Sequence, residues 1–99
     1  MNYGTFAIED LRQGKSARIR PRGHSMHPKV RDGALVTLEP CDPRDLRAGD
    51  IVLVRVHGYV YLHLIKATDG RRFLIGNNHG GVNGWVGPHA IYGIATKIE

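Results

Sequence analysis

From Asp50 to Ala67 the chain reads DIVLVRV, then HG, then YVYLHLIKA. Two runs of β-branched and aromatic residues flank a two-residue break at His57–Gly58, the pattern of a tight antiparallel hairpin. The same grammar continues on either side of it. Downstream, Asp69–Gly70 makes a turn into Arg71–Ile75 (RRFLI). Residues 76–87 then read as a glycine- and asparagine-rich loop broken by Trp85, and Ile91–Ile98 closes with a last strand. Upstream, Ala34–Glu39 (ALVTLE) is a strand, and Pro40–Gly49 is a connecting loop with room for one helical turn. Ser16–Arg22 alternates Arg18, Arg20 and Arg22 around Ala17 and Ile19, a strand with one basic face, which Pro21 assigns to an edge. Thr5–Gln13 is a short helix with Gly14 as its stop. Short strands separated by turns predict a mostly β fold, a small, partly open antiparallel barrel with a short N-terminal helix.

Ninety-nine residues leave room for one domain, and no repeat or linker divides residues 1–99. Apolar residues at 41% and charged residues at 23% exclude a disordered tail and a membrane protein. Thirteen glycines agree with a turn-rich β chain. Fourteen basic against nine acidic residues give a net charge of +5, which suits an anionic partner without requiring one. Cys41 is the sole cysteine, so an internal disulfide and a cysteine-based zinc site are both excluded. Met1–Leu11 lacks a basic head followed by an apolar core, and no apolar run approaches the ~20 residues that cross a bilayer. The expectation is a cytoplasmic chain without a membrane span.

The most unusual stretch lies between the edge strand and the Ala34 strand. Residues 23–28 read Gly-His-Ser-Met-His-Pro. A serine nucleophile needs an exposed hydroxyl and a backbone N–H facing a developing oxyanion. Glycine before it and proline after it suit a tight turn of that kind. Read by itself, the string also fits a turn serine beside a core methionine.

The order of blocks around that turn adds to it. Gly23–Pro28 is followed by Arg31–Val36 (RDGALV), Ala48–Val54 (AGDIVLV), Tyr61–Lys66 (YLHLIK), Leu74–Asn78 (LIGNN) and Ile91–Ala95 (IYGIA). In this order and spacing the chain resembles the serine peptidase clan of type I signal peptidases and LexA-type self-cleaving repressors, from about Ala17 to Ile98. The resemblance implies that Ser25 is the nucleophile and that Gly23, Met26 and Pro28 shape its turn. Most bacterial members carry a lysine base on the strand after the GDIVLV block. Tyr61–Lys66 is more similar to the endoplasmic-reticulum-type and archaeal pattern, which uses histidine, so the implied base is His63. A histidine accepts a serine proton near neutral pH without the burial that a lysine base needs. Lys66 is the rival, but an odd offset on a strand sends it to the opposite face from His63. The resemblance further implies an extended peptide substrate docked beside the barrel strands, with small residues before the cut, and a partner protein that supplies targeting.

Two positions depart from the family pattern. Where it has a Gly-Asp-Asn box, this chain has Gly76-Asn77-Asn78, and Asn83 stands where a further acid is often found. Asn77 is then expected to support the site by holding His63 through its amide. The sequence therefore predicts a serine endopeptidase or self-processing enzyme with a Ser25–His63 dyad, without cofactor or metal. The alternative is a catalytically degenerate barrel that binds an extended peptide or a nucleic acid. Arg18, Arg20 and Arg22 belong to a basic run without an acid from Arg12 to Arg31, read either as a nucleic-acid surface or, more plainly, as a solvated strand face. His24 and His27 form an HxxH pair with no third ligand, a weak metal signal.

Overall fold

The structure, a computed structural model, describes residues 3–99; Met1 and Asn2, which begin the N-terminal stretch read for a signal, lie outside the described residues. Helix α1 (Tyr3–Arg12) is followed by strands β1 (Ala17–Ile19), β2 (Val36–Glu39), β3 (Ile51–Val56), β4 (Tyr59–Thr68), β5 (Phe73–Gly76), β6 (Val82–Val86) and β7 (Ile91–Ile98). The strands form one seven-stranded antiparallel sheet in the order β1-β2-β7-β3-β4-β5-β6, curved but not closed. Among the described residues no helix is long and apolar enough to cross a membrane.

The β3–β4 hairpin is the spine of the sheet. His57 and Gly58 take φ values of 49° and 85°, the positive pair that a tight turn between right-twisted strands needs. The turn sets the register from Val56 opposite Tyr59 to Ile51 opposite Leu64. Alternation along β3 then sorts its side chains by face. Leu53 joins a cluster with Ala7, Ile8 and Leu11 of α1, together with Val36, Leu38, Leu62 and Leu64. Val52, Val54 and Val56 join Ile65, Phe73, Ile75 and Ile91 in a second cluster. A central strand buried on both faces explains why DIVLVRV is apolar at nearly every position.

The sequence expectations meet two larger differences. The Ser16–Arg22 strand shortens to Ala17–Ile19, because Arg20 turns its guanidinium to the Gly33 carbonyl at 3.1 Å and Pro21 has no N–H for a ladder. β1 is an edge strand, as Pro21 argued. The Pro40–Gly49 loop contains one 3-10 turn, Pro43–Asp45, capped by Asp42, whose Oδ1 accepts from the Arg44 amide at 2.9 Å. The second difference matters more. Residues 76–87 are not loop throughout: Val82–Val86 is β6, paired with β5 from Gly76 opposite Val82 to Phe73 opposite Val86. Main-chain pairing to β5 holds this segment, so a composition of Val, Asn, Gly and Trp gave no strand signal.

Candidate active site

The turn that carries Ser25 is pinned from three sides. Gly23 has φ 104°, a backbone that side chains rarely adopt, and its amide donates to Asp32 Oδ1 at 2.8 Å. The Val30 amide donates to the Met26 carbonyl at 2.9 Å, and both of these side chains are buried in the helix-side cluster. On the outer side, the 77–81 loop clasps the turn. The Asn78 amide donates to the Ser25 carbonyl at 2.8 Å, the Asn78 side chain to the His27 carbonyl at 3.0 Å, and His79 Nε2 to the His24 carbonyl at 2.8 Å. The His27–Pro28 peptide is cis.

His63 sits in mid-strand on β4, opposite Val52. It is the one buried polar residue among those described, with 6% of its surface exposed. The Tyr61 ring stacks on the imidazole with 4.7 Å between centroids and an 18° interplanar angle. Nε2 lies 3.3 Å from Ser25 Oγ, and Nδ1 lies 2.9 Å from Asn83 Oδ1. With the amide oxygen accepting from Nδ1–H, the Nε2 lone pair is left for the serine proton. Burial pushes the His63 pKa below the usual histidine value, and the bond to Asn83 opposes that shift only in part. The imidazole is therefore neutral at neutral pH.

The residue that holds His63 is Asn83, which corrects the expectation placed on Asn77. The reason is a bulge. Ile75 pairs with Gly84 and Gly76 with Val82, so Asn83 is the extra residue on β6, and a bulge of this kind re-aims the side chain it carries. Asn77 turns inward on its own loop instead, where Oδ1 accepts from the amides of His79 and Gly81, each at 2.8 Å. It shapes the loop that clasps Ser25 without reaching the imidazole. Gly76 is required beside it, because a Cβ there would run into the Gly81 carbonyl and the stem of Lys66. Lys66 falls at a second bulge, between Ile65 and Ala67, with its stem across Gly76. Among the described residues, His63 alone hydrogen-bonds the Ser25 hydroxyl.

Ser25, His63 and Tyr61 border a cavity of about 110 Å³ with Met26, Val30 and Leu62 in its apolar wall. Pro28 lies outside that wall, on the far side of the turn. Arg18, Arg20 and Arg22 all face solvent, though only Arg18 lies on the strand, and only Arg22 reaches the cavity. The clasp by Asn78 and His79 was not legible in the sequence: its sole signal was a cluster of turn-forming residues, which names no partner. No group of three or more potential metal ligands occurs among the described residues, and His79 is engaged with a carbonyl.

A family model described as Peptidase S24-like matches residues 3–86. Neither the search of curated proteins nor that of solved structures found a match.

Proposed function

The chain belongs to the Peptidase S24-like family, and from that premise we propose that it is a serine endopeptidase, acting on another protein or on its own kind, in which Ser25 is the nucleophile and His63 its base. The observation that carries this reading is the line Ser25 Oγ, His63 Nε2, His63 Nδ1, Asn83 Oδ1, with separations of 3.3 and 2.9 Å. The first distance is slightly long for a hydrogen bond, and a working dyad is expected to close it as substrate binds.

In the proposed reaction Ser25 Oγ bonds to a peptide carbonyl carbon while its proton passes to His63 Nε2. Among the described residues no acceptor takes the Ser25 amide proton, so that N–H is free to meet the oxyanion. Collapse of the tetrahedral intermediate breaks the C–N bond, and the imidazolium returns the proton to the leaving amine. Water then attacks the acyl-serine with His63 again as base, the bond from the acyl carbon to Oγ breaks, and the imidazolium returns the proton to Ser25 as the acid product leaves. Asn83 holds the required tautomer, but as a neutral amide it does not offset the positive charge that forms on the ring. That predicts a slow enzyme.

One observation favours the second reading, a barrel that binds a peptide without cutting it. The Nδ1 partner is an amide where a triad has a carboxylate. A fluorophosphonate probe separates the two. Labelling of the wild type that disappears in Ser25→Ala supports the peptidase. Labelling that survives Ser25→Ala rejects Ser25 as nucleophile, and none across pH 5–9 favours the binder.

A further inference from the structure

Arg22 and Arg31 line the same cavity as Ser25 Oγ and the His63 ring, and no acidic side chain lines it with them. The ion pairs among the described residues are Arg44–Asp42, Arg72–Asp69 and Lys97–Glu99, so neither cavity arginine is matched. Asp32, the next residue after Arg31, is the nearest carboxylate; its Oδ1 accepts from the Gly23 amide at 2.8 Å behind the turn, and its side chain is not part of the cavity wall. Two exposed cationic side chains thus border one small recess, with Met26 and Val30 buried in its wall, and an anion bound there is attracted by both.

The dyad itself adds no negative charge. His63 is neutral, and Asn83 stands where a carboxylate would otherwise set the local field. A carboxylate entering this cleft therefore meets two cations in the wall, against the single carboxylate of Asp32 behind it. The planar guanidinium fork matches carboxylate oxygens better than it matches neutral groups.

We propose that the Ser25 cleft selects a peptide with an aspartate or glutamate beside the scissile bond, held by Arg22 and Arg31. This specificity rests on the peptidase reading above for its meaning, but it can be tested apart from turnover. The sequence pattern of Arg18, Arg20 and Arg22 then divides: Arg20 braces the nucleophile turn through Gly33, Arg18 faces solvent on the edge strand, and Arg22 reads substrate.

The experiment uses the full chain as Ser25→Ala, so that the ligand stays intact, and three fluorescent ten-residue alanine-rich peptides that differ only in a central Glu, Gln or Lys. Anisotropy is expected to rank Glu over Gln over Lys, with about five- to tenfold between the first two. Arg22→Gln with Arg31→Gln should flatten the ranking, and Arg22→Glu with Arg31→Glu should invert it. Arg18→Glu, the same charge change outside the cavity, should leave the ranking unchanged. Equal affinities for the three peptides, no measurable binding of the Glu peptide, or an equal loss in Arg18→Glu would overturn the inference. So would a ten-nucleotide dT strand that outcompetes the Glu peptide through the same two arginines. Fluorophosphonate labelling of the wild type reports the dyad independently, so a failed dyad leaves the ranking in place and a failed specificity leaves the labelling in place.

Discussion

β4 and the turn at residues 23–33 bring together the proposed base, His63, and the proposed nucleophile, Ser25, and the two are held by different means. His63 is fixed by a ladder to β3, a stacked Tyr61 ring and burial beside the core. Ser25 is exposed on a turn that Met26 and Val30 anchor in the core and that hydrogen bonds clasp from outside, several of them from residues more than fifty positions away. The proposed base is thus built into the sheet itself, whereas the proposed nucleophile is placed by loops that the sheet brings together. Damage to the sheet should appear as lost stability, and damage to the clasp as lost activity in a protein that still folds.

The largest effect expected is from His63→Ala, which removes the proton acceptor. It should lower kcat/KM, or the rate of fluorophosphonate labelling, by about 10²–10⁴-fold. Lys66→Ala should leave that rate within about twofold, because in this geometry the lysine stem lies on Gly76. A larger loss from Lys66→Ala than from His63→Ala would show that the base had been misassigned.

Leu53→Ala tests the sheet side of the comparison. Leu53 is fully buried between α1 and the hairpin, and its truncation should cost about 2–5 kcal/mol in denaturant unfolding. Labelling per folded molecule should not change. A changed labelling rate at constant fold would mean that the core also tunes the dyad.

Asn83→Asp should raise turnover by about tenfold or more, since a carboxylate at Nδ1 both enforces the tautomer and stabilises the imidazolium. It also moves the pH profile in a defined direction. Burial lowers the His63 pKa in the native chain, so the neutral base persists below the unperturbed value of about 6.5, and the acid limb of the rate lies at lower pH. An aspartate raises that pKa and shifts the limb upward. The sign for stability follows from the same shift. With the folded pKa below the unfolded one, the unfolded chain takes up the proton first, so His63 contributes stability above about pH 6.5 that is lost as pH falls towards the folded value. A pH limb that stays put in Asn83→Asp would show that the amide does not contact the ring in solution.

Asn78→Ala is the smallest change and the sharpest probe of the clasp. It removes the side-chain bond to the His27 carbonyl and leaves the backbone bond to Ser25 intact. Turnover should fall by roughly two- to tenfold through a looser nucleophile, with little change in melting temperature. Loss of stability equal to that of Leu53→Ala would erase the distinction between the two regions.

Much of this arrangement was readable in the chain. The hairpin follows from its β-branched runs and the His57–Gly58 turn. GHSMHP marked a tight turn, and the family pattern pointed to His63, whereas the bulge between Ile65 and Ala67 breaks the strand parity on which Lys66 was set aside. What escaped was β6 and everything it delivers. Periodicity detects strands through their side chains, and Val82–Val86 is held mainly by main-chain bonds to β5. Without that strand Asn83 has no address, so the amide nearer the glycine box, Asn77, was the natural choice for the imidazole.

The amino-acid sequence determined the kind of fold and the kinds of group available, because alternation, turn chemistry and motif order act over a few neighbouring residues. Only the tertiary structure decided which amide faces Nδ1 and which loop grips Ser25. It also decided which arginine of the alternating set enters the cleft. Those choices depend on a one-residue bulge and on loop closures across the sheet, and local sequence carries no register for either.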